Sequence, residues 1–202
     1  GNPVSLKTDF MSFTSGTVDW ALDTVLPEGP HLFSVRNDGK LNMNGLLSGA
    51  GGVTAGMGTS FQGTLNLACP SNTFTGPALL KYGITEVTRL ANAGVPSSLG
   101  AAIGADAAIR LGNYYTGGYY GMRYTGTEPF STDRPFLFLR GVTIENNSPA
   151  DAGGAFNGNW SAMEAPGGIT ATLTLAGTSK GVNTVNGVIA NAPGGANSLI
   201  VK

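Results

Sequence analysis

The closing stretch, Gly158 to Lys202, reads GNWSAMEAPGGITATLTLAGTSKGVNTVNGVIANAPGGANSLIVK. Short runs of Thr, Val, Leu and Ile are cut by Gly and Asn every few residues. No helical period runs through them, so the segment predicts short strands joined by tight turns. Leu41–Ala55 (LNMNGLLSGAGGVTA) carries part of the same pattern. Asn44-Gly45-Leu46-Leu47 with Gly51-Gly52 answers to Asn186-Gly187-Val188-Ile189 with Gly194-Gly195. A chain that returns to one local pattern after so long a gap is expected to be built of stacked turns of sheet. Such chains are more often scaffolds than catalysts.

The 202 residues are enough for one domain with a sizeable core. The 32 glycines are about twice the usual share, and the 11% of charged residues is under half of it. With 41% hydrophobic residues the chain still lacks the signature of disorder. Few charges among many Gly, Asn, Thr and Ser predict a surface of turns and hydroxyls, suited to an extracellular or densely packed assembly. The net charge is −1 and the 11 basic residues are scattered, which argues against nucleic acid as a partner. No run approaches the ~20 apolar residues of a membrane-spanning helix. Cys69 is the only cysteine, which excludes an intrachain disulfide. It reads as a small buried hydrophobe, because a catalytic thiol would want a histidine and His31 is the only one. The chain starts at Gly1 with neither Met nor signal peptide. The expectation is a removed leader or a segment of something longer.

Strands are predicted at Val4–Lys7, Thr17–Leu22, Leu32–Val35 and Lys40–Met43, then at Phe61–Ala68, Ala78–Lys81 and Ile84–Leu90. Ala108–Leu111, Tyr119–Tyr124, Phe136–Leu139, Val142–Glu145, Ala155–Phe156, Thr170–Ala176, Thr184–Ala190 and Ser198–Val201 follow. Asn37-Asp38-Gly39 between two apolar runs signals a hairpin or tight turn. Residues 91–107 are small-residue-rich and read as a loop crossing the surface. The fold class is all-β, as an antiparallel sandwich or barrel or as a parallel β-solenoid. The recurring Asn-Gly…Gly-Gly element favours the solenoid, as do flanking Gly and Asn able to take αL corners. One domain over 1–202 is expected, with 1–40 less regular and 41–202 repeat-like. At ~20–25 residues per coil it would make roughly eight to ten coils and a rod on the order of 40 Å.

From Gly63 onward the chain resembles the autotransporter-associated β-strand repeats of large bacterial surface proteins. Thr64-Leu65-Asn66-Leu67, then Asn72-Thr73-Phe74-Thr75-Gly76, is similar to that family's GTLTLSGANTYTG unit. Arg89-Leu90-Ala91-Asn92-Ala93-Gly94-Val95-Pro96-Ser97-Ser98-Leu99-Gly100 is similar to its PSSLG loop. Arg123-Tyr124-Thr125-Gly126 with Ser131-Thr132-Asp133-Arg134, and Ile144-Glu145-Asn146-Asn147, match further steps. The stretch from Thr172-Leu173-Thr174-Leu175 to Asn186-Gly187-Val188-Ile189 is the nearest match. The resemblance implies a parallel β-helix, secretion and a surface-exposed or structural role, with no enzyme activity or cofactor. Residues 1 to about 40 match poorly, and the aromatic run Tyr114–Tyr120 is an insertion.

Five of the six tyrosines fall between Tyr114 and Tyr124. Tyr114, Tyr115, Tyr119, Tyr120 and Tyr124, set among glycines, suit a glycan-stacking or lateral protein surface, or else inward packing. Asp133 and Arg134 are adjacent on a strand, so they point to opposite faces and do not share an acid–base site. Asp133 reads as a turn cap and Arg134 as a partner of a neighbouring coil. The 12 acidic residues are spread singly, without the convergent carboxylates of polysaccharide-cleaving β-helices. No calcium-binding nonapeptide occurs. No catalytic, cofactor or metal site is therefore assigned. Asn146-Asn147-Ser148 and Asn159-Trp160-Ser161 match the glycosylation sequon but read as Asn rungs within a coil. Trp20 and Trp160 read as partly buried anchors.

A solenoid leaves unpaired backbone groups at both ends, and no capping helix is visible here. The expectation is a non-catalytic extracellular subunit or segment of a bacterial surface fibre. Its partners would be copies of itself or further repeats of the same polypeptide. Ser198, Leu199, Ile200 and Val201 would pair with a neighbour's residues near Val4, Leu6, Phe10 and Phe13. The alternatives are an adhesin binding surface glycans through the Tyr cluster and, more remotely, a polysaccharide-active β-helix enzyme.

Overall fold

The computed structural model describes residues 3–7, 10–12, 15–113, 120–163, 171–190 and 197–201, with the backbone alone at 10–12 and 197–201. Two eight-stranded sheets run its length. Sheet 1 takes, in spatial order, Phe10–Ser12, Pro30–Val35, Gly52–Ala55, Ala78–Leu80, Ile109–Leu111, Phe136–Phe138, Trp160–Ala162 and Ile189–Ala190. Sheet 2 takes Gly16–Trp20, Gly39–Met43, Thr64–Leu67, Gly83–Val87, Tyr120–Tyr124, Gly141–Asn146, Ala171–Gly177 and Asn197–Val201. A short sheet near the N-terminus joins Val4–Ser5, Thr24–Val25 and Leu47–Ser48; another joins Phe130–Thr132, Gly154–Phe156 and Asn183–Val185.

Spatial order equals sequence order in every sheet, and the strand pairs are parallel throughout. The antiparallel sandwich left open by the sequence is thereby set aside. Asn37-Asp38-Gly39 forms a tight turn, with the Gly39 amide donating to the Arg36 carbonyl at 2.8 Å. Its flanking strands lie in different sheets, so it is a corner and not a hairpin. No α-helix occurs among the described residues; residues 91–107 form a loop ending in a 3₁₀ turn, Gly104–Ala107. The step between paired residues runs from 20 (Thr64 to Ile84) to 37 (Ile84 to Gly121), wider than the expected 20–25 because whole loops are inserted between strands.

Parallel strands stacked in register align like residues in columns. In sheet 1, His31, Val53, Ala78, Ile109, Phe136 and Trp160 form one inward column. In sheet 2, Leu41, Leu65, Thr85, Met122 and Ile144 form its counterpart. Aromatic residues form a chain through the core: Tyr124, Phe130, Phe156, Phe136 and Trp160 contact in pairs at centroid distances of 4.5–5.5 Å. Each such buried side chain contributes about 1.5–3 kcal/mol. Trp160 is wholly buried, deeper than expected, while Trp20 is half-buried and donates to the Thr24 hydroxyl at 3.0 Å.

The two Asn-Gly elements are turns, but they occupy different places. Leu47 belongs to the short N-terminal sheet and Ile189 to sheet 1. Neither Gly45 nor Gly187 has a positive φ. Glycine is required there by close approach: a Cβ would lie 2.3 Å from the Leu22 carbonyl oxygen at Gly45, and 2.0 Å from that of Gly158 at Gly187. The repeated pattern thus marks where one turn of chain presses on an earlier one.

Asparagine and aspartate side chains staple corners to the following turn. Asp23 accepts from the Leu46 amide, Asn37 from Gln62, Asn147 from Thr178, Asp151 from Lys180 and Asn159 from Val188, at 2.8–3.0 Å. These bonds satisfy backbone donors where the ladders break, which otherwise would cost stability. Asn37, Asn147 and Asn159 serve this device.

Candidate interaction surfaces

Tyr114, Tyr115 and Tyr119 lie outside the described residues. Tyr120 and Tyr124 face the interior at 4% and 2% exposure, so the stacking surface expected of the cluster does not include them. Tyr120 meets the Tyr82 ring edge-on at 5.5 Å. Tyr124 packs on Phe130, and its hydroxyl donates to the Glu128 carbonyl. Burial first, and the Glu128 charge second, raise the Tyr124 phenol above its ordinary pKa. The alternation Tyr120, Met122, Tyr124 with Arg123 between them was the legible signal for this inward face.

The end residues occupy sheet edges. Val4 is in the edge strand of the short N-terminal sheet and Phe10 in that of sheet 1. Leu6 is half-buried against the core, and Phe13 lies outside the described residues. Ser198, Leu199, Ile200 and Val201 form the far edge of sheet 2, in register with Thr172, Leu173, Thr174 and Leu175. The opposite edge of sheet 2 is Gly16–Trp20. The two edge strands of sheet 2 are therefore Gly16–Trp20 and Asn197–Val201, while Val4 and Phe10 lie in edge strands of other sheets.

The outer face of sheet 2 carries a polar row, Asp19, Asn42, Asn66, Glu86, Arg123 and Glu145. Asn66 donates to Asn42 at 2.9 Å, and Asn42 donates to Asp19 at 2.7 Å. Lys40 reaches over to Glu86 at 2.6 Å, and Arg123 bridges Glu86 at 3.2 Å and Glu145 at 2.5 Å. Burial opposes the Arg123 charge, but Glu145 and Glu86 outweigh it and hold the guanidinium above its ordinary pKa. With a carboxylate at each end of the two amides, the row has one acceptor too many. Asn66 Oδ1 is that atom, buried without a partner.

A second construction joins the Thr132-Asp133-Arg134 and Pro96-Ser97-Ser98-Leu99-Gly100 motifs. Ser98 Oγ accepts from the Thr88 and Arg89 amides, both at 3.1 Å, and Ser97 Oγ donates to the Gly100 carbonyl at 3.0 Å. Thr132 donates to the Ala91 carbonyl, Asp133 accepts from the Ala93 amide, and Asn92 accepts from the Asp133 amide. Arg134, 2% exposed, donates through Nε to Ala107 and through Nη1 to Leu99, at 2.7 and 2.8 Å. Burial lowers its pKa to about 10, with Asp133 pulling the other way. Asp133 and Arg134 thus fasten a loop and do not converge on a site.

Above this loop lies an open groove of about 840 Å³ between Arg89–Asn92 and Thr125–Ser131. Glu128 is the single carboxylate among the described residues that line it. Among the described residues no three His, Cys, Asp or Glu side chains are grouped to hold a metal ion. His31 Nε2 lies 2.8 Å from the Pro27 carbonyl. Cys69 is half-buried, less than expected, with its Sγ 3.5 Å from the Ser71 hydroxyl. No described helix is long and apolar enough to cross a membrane. The chain matches no protein-family model, no curated protein and no solved structure.

Proposed function

We propose that the chain is a secreted, non-catalytic parallel β-solenoid unit of a bacterial surface fibre. It stacks end to end with copies of itself or with further repeats of the same polypeptide. The observation that carries this reading is the order of the long sheets: parallel strands in sequence order, with edge strands at opposite ends of the same sheet that no other described strand covers. An edge of unpaired backbone N–H and C=O groups is a template for another strand. A head-to-tail contact of this kind is heterologous and need not close, so it propagates into a filament. The motif resemblance to autotransporter-associated repeats and the low charge content accord with it.

The test is electron microscopy and sedimentation of the purified chain. The expected result is concentration-dependent rods whose growth is stopped by Val18→Lys, a charge placed in the edge strand Gly16–Trp20 and half-buried in the free chain. Deleting 197–202 is expected to stop growth as well. Rods that persist in both variants, or a wild type that stays monomeric at high concentration, would refute stacking between copies of the chain.

A further inference from the structure

The outer face of sheet 1 carries a groove that the stacking proposal does not use. Leu32, Thr54, Leu79 and Arg110 stand side by side in the ladder as its floor. Residues just beyond the carboxyl ends of the same strands form its wall, among them Met57 and Tyr82. Six neighbouring strands contribute residues to the groove or border it, a span of about 24 Å at the usual spacing. The cavity holds about 670 Å³, within the range of small-molecule sites. Its lining is mostly apolar, and Met57 is half exposed to solvent.

The charges among the described residues of this lining are Lys81 and Arg110, both cationic, with no described carboxylate among them. The ion pairs among the described residues engage Lys40 and Arg123 instead. An apolar trough with two cations and no described carboxylate in its lining is complementary to a ligand with an apolar body and a negative head. A neutral apolar chain would leave the cations unused, and a cationic one would be repelled by them. We infer that this groove binds a free single-chain anionic amphiphile. Its acyl chain lies across the strands and its carboxylate sits at Lys81 and Arg110.

The test is calorimetric titration of the full chain with dodecanoate below its micelle concentration, beside dodecyltrimethylammonium. Saturable one-site binding of dodecanoate is expected, at least tenfold tighter than the cationic analogue. The Lys81→Gln/Arg110→Gln double variant should bind dodecanoate at least tenfold more weakly, and Leu79→Asp should abolish binding, both with an unchanged circular dichroism spectrum. Equal binding of the two amphiphiles, unchanged affinity in the double variant, or no saturable binding would overturn the inference. So would a dimer that Leu79→Asp dissociates and dodecanoate leaves intact, since the groove would then be an interface between copies. Rod formation is read separately, so failure of either proposal leaves the other standing.

Discussion

Replacing Arg134 with Met tests whether the Thr-Asp-Arg segment is a loop clamp. The substitution removes two charge-assisted hydrogen bonds to the carbonyls of Leu99 and Ala107. Each such bond is worth about 1.5–3 kcal/mol, so the gross loss is about 3–6 kcal/mol. Part returns, because a guanidinium lowered by burial to about 10 has been disfavoured in the folded chain. That shift corresponds to about 3 kcal/mol. Met also fills much of the vacated volume, so little cavity term adds. The expected net loss is about 0–3 kcal/mol, read as a lowered midpoint in urea. The effect should be concentrated in the loop, where amide exchange at 99–107 should quicken about tenfold, the equivalent of ~1.4 kcal/mol. Arg134→Ala should cost about 2 kcal/mol more through its cavity. Unchanged exchange at 99–107 in a folded Arg134→Met protein would refute the clamp.

Gly187→Ala forces a Cβ to 2.0 Å from the Gly158 carbonyl oxygen, while a Cβ at Gly141 meets nothing within 4 Å. Thermal melts should show a loss of about 1–3 kcal/mol for the first, and about 0.5 kcal/mol or less for Gly141→Ala; equal effects would contradict the close-approach argument. Tyr124 has a folded-state pKa raised above its ordinary value, so the stability its phenol supplies is present below about pH 10. It is lost as pH rises through the raised folded-state pKa. Tyr124→Phe should therefore be less stable than wild type at pH 8 by about 1 kcal/mol. The gap in urea midpoint should narrow by pH 11; a constant gap would be evidence against the assignment.

The strand positions were largely legible because short Thr- and aliphatic-rich runs between Gly and Asn leave few other conformations. Thr64–Leu67, Phe136–Phe138 and Ala171–Gly177 lie where the alternation and turn residues put them. The burial of Tyr120 and Tyr124 was legible in period two as the inward-packing alternative, while the clustering of five tyrosines equally suited a surface. Asp133 and Arg134 are neighbours on an extended chain, and their side chains engage different partners, the Ala93 amide and the Ala107 and Leu99 carbonyls. The clamp itself was not visible, because Arg134 meets Leu99 and Ala107 across 27 to 35 residues of chain. The polar row on sheet 2 was hidden for the same reason. Asp19, Asn42, Asn66, Glu86, Arg123 and Glu145 are spaced irregularly, and no periodicity links them before the register is known.

Local chemistry by itself determined that this chain is made of short strands with tight Gly and Asn turns, since those preferences are settled by each residue and its immediate neighbours. Which strands pair, in which sheet, and with what offset was decided only in three dimensions. Parallel ladders are formed between residues 20 to 37 apart, and the inserted loops change that distance at nearly every step. The same register alone brought Lys81 and Arg110 to one apolar groove, and placed Gly16–Trp20 opposite Asn197–Val201 at the two edges of one sheet.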